Sequence, residues 1–337
     1  MKICQVLAGN EDGGLEKHTI ELSKQLSKRG YELTVIAHKD FESYFEDINF
    51  IPLDLSKSRN NIFILFKLFK ILKKGNFDIV HTQANKATSM VVKIKSFLNS
   101  KIVSTLHSYK KNLKVFEKSD FVITVSNKIG FMLKNKNKIT IYNGIEFNKI
   151  DNIEDIYLKY NIPKDKFLIT SVGRLCNVKR FDLLIKSIKN LDIFCVLVGD
   201  GENKNSLINL IKKENIEEKI LLTGNIGNID VKKILSISKL FVITSDKEGF
   251  PYVFIESLLC KTPVISTDVS DIKDIIGQNY IIPFNKYSNL NDKINYCKDN
   301  YEEVIADFRN KFDYAQNKFT IENMVNETVD VYKKVLK

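Results

Sequence analysis

The chain has 337 residues, more than one hydrophobic core usually serves, and its 44% hydrophobic content excludes a disordered protein. Its five cysteines, Cys4, Cys176, Cys195, Cys260 and Cys297, never fall at Cys-x-x-Cys spacing, so they read as reduced thiols in small core positions rather than as disulfides or a metal site. The net charge of +11 lies wholly in the first half: residues 1–150 hold 25 Lys and Arg against 14 Asp and Glu, whereas residues 151–337 hold 27 against 27.

That asymmetry suggests an anionic partner for the first half, either a lipid surface, a phosphorylated acceptor or nucleic acid. A genome that favours lysine codons accounts for it equally well. The opening, Met1-Lys2-Ile3-Cys4-Gln5-Val6, is too short and too quickly polar for a signal peptide, and no run of about 18 apolar residues offers a membrane span. A cytoplasmic location is expected, with attachment to the inner face of the membrane as an option.

In chain order, short β-branched runs alternate with longer amphipathic ones. Strands are expected at residues 2–8, 32–38, 78–82, 102–107, 121–125 and 139–142, then at 167–172, 194–198, 220–223, 240–244 and 263–266. The clearest helix is 16–29, with Ile20, Leu22 and Leu26 inward and Gly30 as its stop. Strands alternating with helices imply parallel sheets covered on both faces. The pattern runs twice, with an acidic, weakly periodic stretch from Glu146 to about Lys166 between the runs. The reading is therefore α/β: a first doubly wound domain over 1–150, a second over 151–320, a cleft between them, and a helix at 321–337 that packs back on the first. Ligands in such sheets bind at the carboxyl ends of the strands.

The segment Ser245-Asp246-Lys247-Glu248-Gly249-Phe250-Pro251-Tyr252-Val253-Phe254-Ile255-Glu256 carries the strongest chemical signal. A strand ends, a Gly/Pro turn follows, and a helix opens at about Pro251, whose free N–H groups suit an anion. The carboxylates of Glu248 and Glu256 accept hydrogen bonds from paired hydroxyls, as a sugar ring and a ribose present them. An ordinary crossover helix with an acidic start explains the spacing alone just as well. Gly13 and Gly14, ahead of the first helix, let backbone approach a phosphate and take unusual dihedrals. His107 ends a strand and so stands at a ligand-facing edge; His81 ends another and ranks next, with His18 and His38 behind it.

Taken together, Glu248 and Glu256 with Gly249-Phe250-Pro251 between them resemble the signature of the retaining glycosyltransferases of family 4, which have the GT-B fold. Val172-Gly173-Arg174-Leu175 with Lys179 and Asp182-Leu183-Leu184-Ile185 resembles that family's second-domain opening. Val198-Gly199-Asp200-Gly201 resembles the end of its next strand, and Gly13-Gly14-Leu15-Glu16-Lys17-His18 its first loop. Ser126 and Asn143-Gly144-Ile145 match as well. The pieces are individually weak and specific in their order, and they cover essentially the whole chain.

The resemblance implies a nucleotide-sugar donor, UDP-linked, and a glycan or lipid-linked glycan as acceptor. It implies that Glu256 meets the ribose, Glu248 the transferred sugar, and the Gly249-Phe250-Pro251 turn, through the amides of Phe250 and its neighbours, the sugar or phosphate. Gly173, Arg174 and Lys179 face the diphosphate, where two fixed cations stabilise a leaving group that gains charge. It places Gly13 and Gly14 by the donor diphosphate or the acceptor, and His107 beside the sugar as a hydrogen-bonding group or proton relay. Arg180 matches no family position. The catalytic set is thus His107, Arg174, Lys179 and Glu248.

No Asp-x-Asp clamp and no His/Cys cluster occurs, so no metal and no cofactor is expected. The absence of Gly-x-Gly-x-x-Gly disfavours a dinucleotide enzyme. Residues 61–74 are apolar with interleaved lysines, which reads as a buried crossover helix or as a face resting on an anionic membrane. Lys110, Lys111, Lys114 and Lys118 form a second basic stretch. Three other readings stand beside the transferase: a nucleotide-sugar epimerase or hydrolase on the same fold, a nucleic-acid-binding protein that uses the basic half, and a catalytically silent subunit. Aromatic or helical readout elements are lacking among the lysines, so no nucleic acid is expected as partner.

Overall fold

The computed structural model describes residues 1–10, 13–148, 150–283 and 289–337. The chain divides into two compact units, Met1–Gly144 with Phe319–Lys337, and Ile145–Lys318.

The first unit is built on a seven-stranded parallel sheet of order β3-β2-β1-β4-β5-β6-β7. Its strands are β1 Lys2–Leu7, β2 Glu32–Ala37, β3 Asn49–Pro52, β4 Ile79–Gln83, β5 Lys101–Leu106, β6 Phe121–Thr124 and β7 Lys138–Thr140. Central strands buried on both faces read as near-continuous apolar runs, as Ile79-Val80 and Ile102-Val103 do. Alternation then sorts each strand's side chains to opposite faces. Ile3, Leu7, Ile79 and Val103 join Leu22 and Leu26 of helix α1 (Gly14–Lys28) and Met324, Val325 and Val329 of the last helix, Ile321–Leu336. Cys4, Val6, Val80 and Ile102 join Ile64, Leu68 and Leu72 of helix α2 (Ile62–Gly75) and Met90 and Val91 of helix α3 (Ala84–Ile94).

The carboxyl-terminal segment reaches the first unit where Gly144 and Thr320 meet. A Cβ on Gly144 would collide with the Thr320 carbonyl, so only glycine lets the two backbones come this close. Thr320 caps the last helix by accepting from Asn323 N at 3.1 Å.

The second unit is a six-stranded parallel sheet of order β10-β9-β8-β11-β12-β13. Its strands are β8 Leu168–Val172, β9 Phe194–Val198, β10 Ile220–Gly224, β11 Leu240–Ile243, β12 Val264–Thr267 and β13 Ile281–Ile282. The acidic stretch read as aperiodic holds one short helix, Asp155–Lys159, anchored by buried Ile156. Two edge strands, β3 and β13, were not expected from the sequence. All five cysteines are free thiols, and burial pushes Cys260 up to about 11 and Cys297 up to about 12, which makes them unreactive.

In each sheet the strand order reverses once, between β1 and β4 in the first unit and between β8 and β11 in the second. Helices leave the two strands in opposite directions there, so a crevice opens at their carboxyl ends.

Candidate active site

In the second unit the predicted residues gather at that reversal. Gly173 and Arg174 follow β8; Thr244, Ser245 and Glu248 follow β11. Lys179 closes a 3-10 turn, Asn177–Lys179. That turn is tied to the β11 loop by Asp246 N donating to the Val178 carbonyl at 2.8 Å and Thr244 Oγ1 donating to the Lys179 carbonyl at 2.7 Å. Arg180, outside the predicted set, takes a left-handed conformation (φ 52°) and pairs with Asp182 at 3.1 Å and Asp246 at 3.4 Å. It thereby ties the turn to the β11 loop.

So held, Lys179 Nζ donates to Glu248 Oε1 at 2.6 Å, and Ser245 Oγ donates to the same oxygen at 2.6 Å. Both donors use Oε1, which leaves Oε2 as an acceptor. Beside this cluster a small cavity is lined by Ser171, Lys179, Thr244, Glu248, Pro251 and Val253. Gly173 lies against the Lys179 stem: a Cβ there would come within 3.0 Å of Lys179 Cε. Gly199, at φ +133°, packs so tightly on Gly173 that a Cβ would collide with the Gly173 carbonyl. These glycines make a bare backbone ledge at the ends of β8 and β9. Arg174 stands exposed beyond it.

Helix Tyr252–Leu259 starts at Pro251 in extended conformation, with no side-chain cap and no acidic residue in its first turn. Its N-terminal field is therefore uncompensated by a side chain of that turn. Glu256, one turn on, is 4% exposed and accepts from Asn228 Nδ2 at 3.3 Å. Asn228 opens the helix Asn228–Ile237, which follows β10, and the sequence reading missed it. The Phe250 ring is buried against Phe254, edge to face at 5.8 Å.

In the first unit, Gly13 and Gly14 differ from expectation. Gly13 is the N-cap of α1 with φ −157°, an extended conformation open to any residue, and Gly14 is absent from the left-handed glycines. What glycine permits there is close approach. The buried Glu16 carboxylate folds back on the loop, where a Cβ on Gly9 would collide with it and one on Gly13 would come within 3.2 Å. A carboxylate in that position repels phosphate and accepts from hydroxyls.

His107 lies just past β5, partly exposed, with Nε2 2.8 Å from Gln83 Oε1 at the end of β4. The His18 ring meets it edge to face at 4.7 Å, and His18 Nδ1 lies 3.2 Å from Asn143 Oδ1. His81 is fully buried, bonded to Tyr332 and Thr105, and cannot meet a ligand. Burial lowers the His18 pKa to about 4 and that of His81 to about 3. Burial, with the neighbouring His18 and His81, likewise holds His107 well below its usual range. All three imidazoles are neutral at physiological pH, so His107 hydrogen-bonds as a neutral ring and not as an imidazolium. Among the described residues no three His, Cys, Asp or Glu side chains converge to hold a metal.

A doubly wound pair of units with cations, glycine ledge and carboxylates at one strand-order reversal is the layout of a glycosyltransferase of the GT-B fold. The profile described as Glycosyltransferase Family 4 matches residues 12–149, and that described as Glycosyl transferases group 1 matches residues 152–319. The chain belongs to this family of glycosyltransferases. It is 26% identical to the O-antigen biosynthesis glycosyltransferase WclY of Escherichia coli, over 100% of this chain and 99% of that one. Among solved structures, a glycosyltransferase from Rickettsia africae superposes with a TM-score of 0.86 at 23% identity, covering 100% of this chain and 98% of that one. HepE from Anabaena in complex with UDP-glucose gives a TM-score of 0.86 at 18% identity, covering 99% of this chain and 100% of that one.

Proposed function

We propose that this enzyme moves a hexose-type sugar from a UDP-linked donor to a hydroxyl of a growing cell-surface glycan, with retention at the anomeric carbon and without a metal ion. The observation that carries this reading is the Lys179–Glu248–Ser245 cluster at the β8/β11 reversal, with Arg174 in the segment that follows β8. The bond between the anomeric carbon and the β-phosphate oxygen breaks, and its electrons stay on the diphosphate, where Arg174 and Lys179 offset the new charge. The acceptor oxygen adds to the same face, and its proton passes to the leaving phosphate oxygen. Glu248 Oε2 and Glu256 accept from sugar and ribose hydroxyls. The buried Glu16 carboxylate opposes a phosphate at the α1 loop, which favours the acceptor of the two roles expected for that loop. The ligand of HepE supports a UDP-sugar, and the name of WclY supports a surface polysaccharide.

Thermal-shift and transfer assays across UDP-, GDP- and ADP-sugars, with and without EDTA, test the reading. Stabilisation by a UDP-sugar, an α-product from an α-donor and insensitivity to EDTA are expected. No stabilisation by any nucleotide sugar would sink the proposal, and donor isomerisation or hydrolysis without acceptor would favour the alternative enzymes.

The acceptor side is proposed to work at an anionic membrane surface. No described helix is long and apolar enough to cross a membrane. Helix α2, however, buries only Ile64, Leu68 and Leu72, while Phe63 is 82% and Phe66 53% exposed. Lys67, Lys70, Lys73 and Lys74 share its outer side, Lys70 Nζ lies 4.5 Å from the Phe66 ring centre, and the helix has no acidic residue. Exposed rings flanked by lysines suit the boundary of anionic lipid headgroups. Sedimentation with phosphatidylglycerol vesicles, and its loss in the Phe63→Ser/Phe66→Ser variant, is the expected result; equal binding by that variant would refute it.

A further inference from the structure

One face of the first sheet carries a polar line through an otherwise apolar core. Gln5, His81, Gln83 and Thr105 lie in register across β1, β4 and β5, with Gln5 opposite His81 and Gln83 opposite Thr105. All four are at most 1% exposed. Buried polar groups persist only where they satisfy one another, and these do so in sequence. His107 Nε2 lies 2.8 Å from Gln83 Oε1, and Gln83 Nε2 donates to Gln5 Oε1 at 2.9 Å. Gln5 Nε2 donates to the Tyr332 hydroxyl at 3.2 Å, which lies 2.6 Å from His81 Nδ1, and His81 Nε2 is 2.7 Å from Thr105 Oγ1.

The polarity of this chain is determined link by link. A glutamine carbonyl only accepts, so His107 Nε2 must carry the proton. Gln83 then donates to Gln5, and the Gln5 amide nitrogen, which only donates, lies 3.2 Å from the phenol oxygen and 3.3 Å from His81 Nδ1, so His81 Nδ1 accepts and its proton sits on Nε2, toward Thr105. Reversing the line requires both buried amides to rotate together.

We propose that Gln83, backed by Gln5 and Tyr332, is a positioning residue that fixes His107 with its proton on Nε2 and offers Nδ1 to a ligand hydroxyl. A bare imidazole nitrogen accepts from O–H and has nothing to give a phosphate oxygen. The contact therefore selects a polyol hydroxyl over an anion. This rests on the reading that His107 faces the sugar; the relay itself does not.

The relay is tested first on the free enzyme, by long-range proton–nitrogen NMR of its histidines. The expected spectrum shows His107 protonated on Nε2 and bare at Nδ1, and a mixture of tautomers in Gln83→Leu. In Gln83→Glu the carboxylate still accepts from Nε2, so the tautomer is kept while the ring titrates at a higher pH. Transfer kinetics follow. Gln83→Leu should lower kcat/KM about tenfold, the loss of one buried hydrogen bond, and Gln83→Glu should restore it only above the new His107 titration, giving an acidic limb absent from the parent. A His107 proton on Nδ1 in the parent, or an unchanged tautomer in Gln83→Leu, would overturn the relay. The expected spectra with kinetics unmoved would uphold the relay and remove His107 from the sugar site.

Discussion

Replacing Lys179 by Met and Glu248 by Gln, singly and together, probes the donor cluster most directly. At the observed 2.6 Å, an effective dielectric near 20 gives a Coulomb attraction of roughly 6 kcal/mol. Desolvation of the two ions offsets most of that. The side chains are 21% and 13% exposed, between the open-surface and fully buried cases, so each single variant should lose about 1–2 kcal/mol of unfolding free energy. The double variant should lose less than the two losses together, because the second substitution removes a partner already stranded. Urea unfolding of the four proteins measures the coupling. Kinetically, Lys179→Met should lower kcat by about 10²–10³ with a smaller change in KM, the usual loss on removing one preorganised donor at a developing charge. Additive stability losses to within about 0.3 kcal/mol, or a kcat within a few-fold of the parent, would refute the assignment.

Acid should weaken the first unit. His18 and His81 have folded pKa values lowered to about 4 and about 3, so the unfolded chain binds more protons below its own value of about 6.5. Their contribution is complete above that value and is lost as pH falls toward the folded values, at about 2 kcal/mol for each ring between pH 7 and pH 5; urea midpoints across that range check it, and a flat profile would contradict it. Gly199→Ala should destabilise by about 3 kcal/mol or more, since its left-handed backbone and the Gly173 carbonyl both oppose a Cβ; a Tm within a degree of the parent would argue against the ledge. Glu256→Ala should weaken UDP-sugar binding about ten- to hundredfold in calorimetry, the range for a hydrogen bond to a charged group, while Arg174→Ala mainly lowers turnover.

Most of the fold was legible because its strands are buried on both faces and announce themselves as β-branched runs. The strands that escaped, β3 and β13, sit at sheet edges and span four and two residues, too few for a period to show. The candidate site was legible where the chain is local: the turn from Ser245 to Pro251 carries its own signature. Asn228 was not, since it meets Glu256 only through tertiary packing. Gln83 and Tyr332 were hidden more deeply. Gln5 and Tyr332 are 327 positions apart, and a glutamine inside a strand looks like any alternating polar residue until the opposite strand proves to be polar too. The reading of Gly13 and Gly14 as room for a phosphate and for unusual dihedrals did not include Glu16, whose folded-back carboxylate lies against Gly13.

The return of residues 319–337 to the first unit bears on how the polypeptide acquires its structure during synthesis. Val325, Val329 and Tyr332 complete the core around Leu22, Leu26 and Ile79, so the β-sheet made first emerges with one flank only partly covered, by α1. The second unit, which is contiguous in the chain, is fully translated while that flank still lacks its last helix. The unit whose sheet is made first is thus the last to have its core completed.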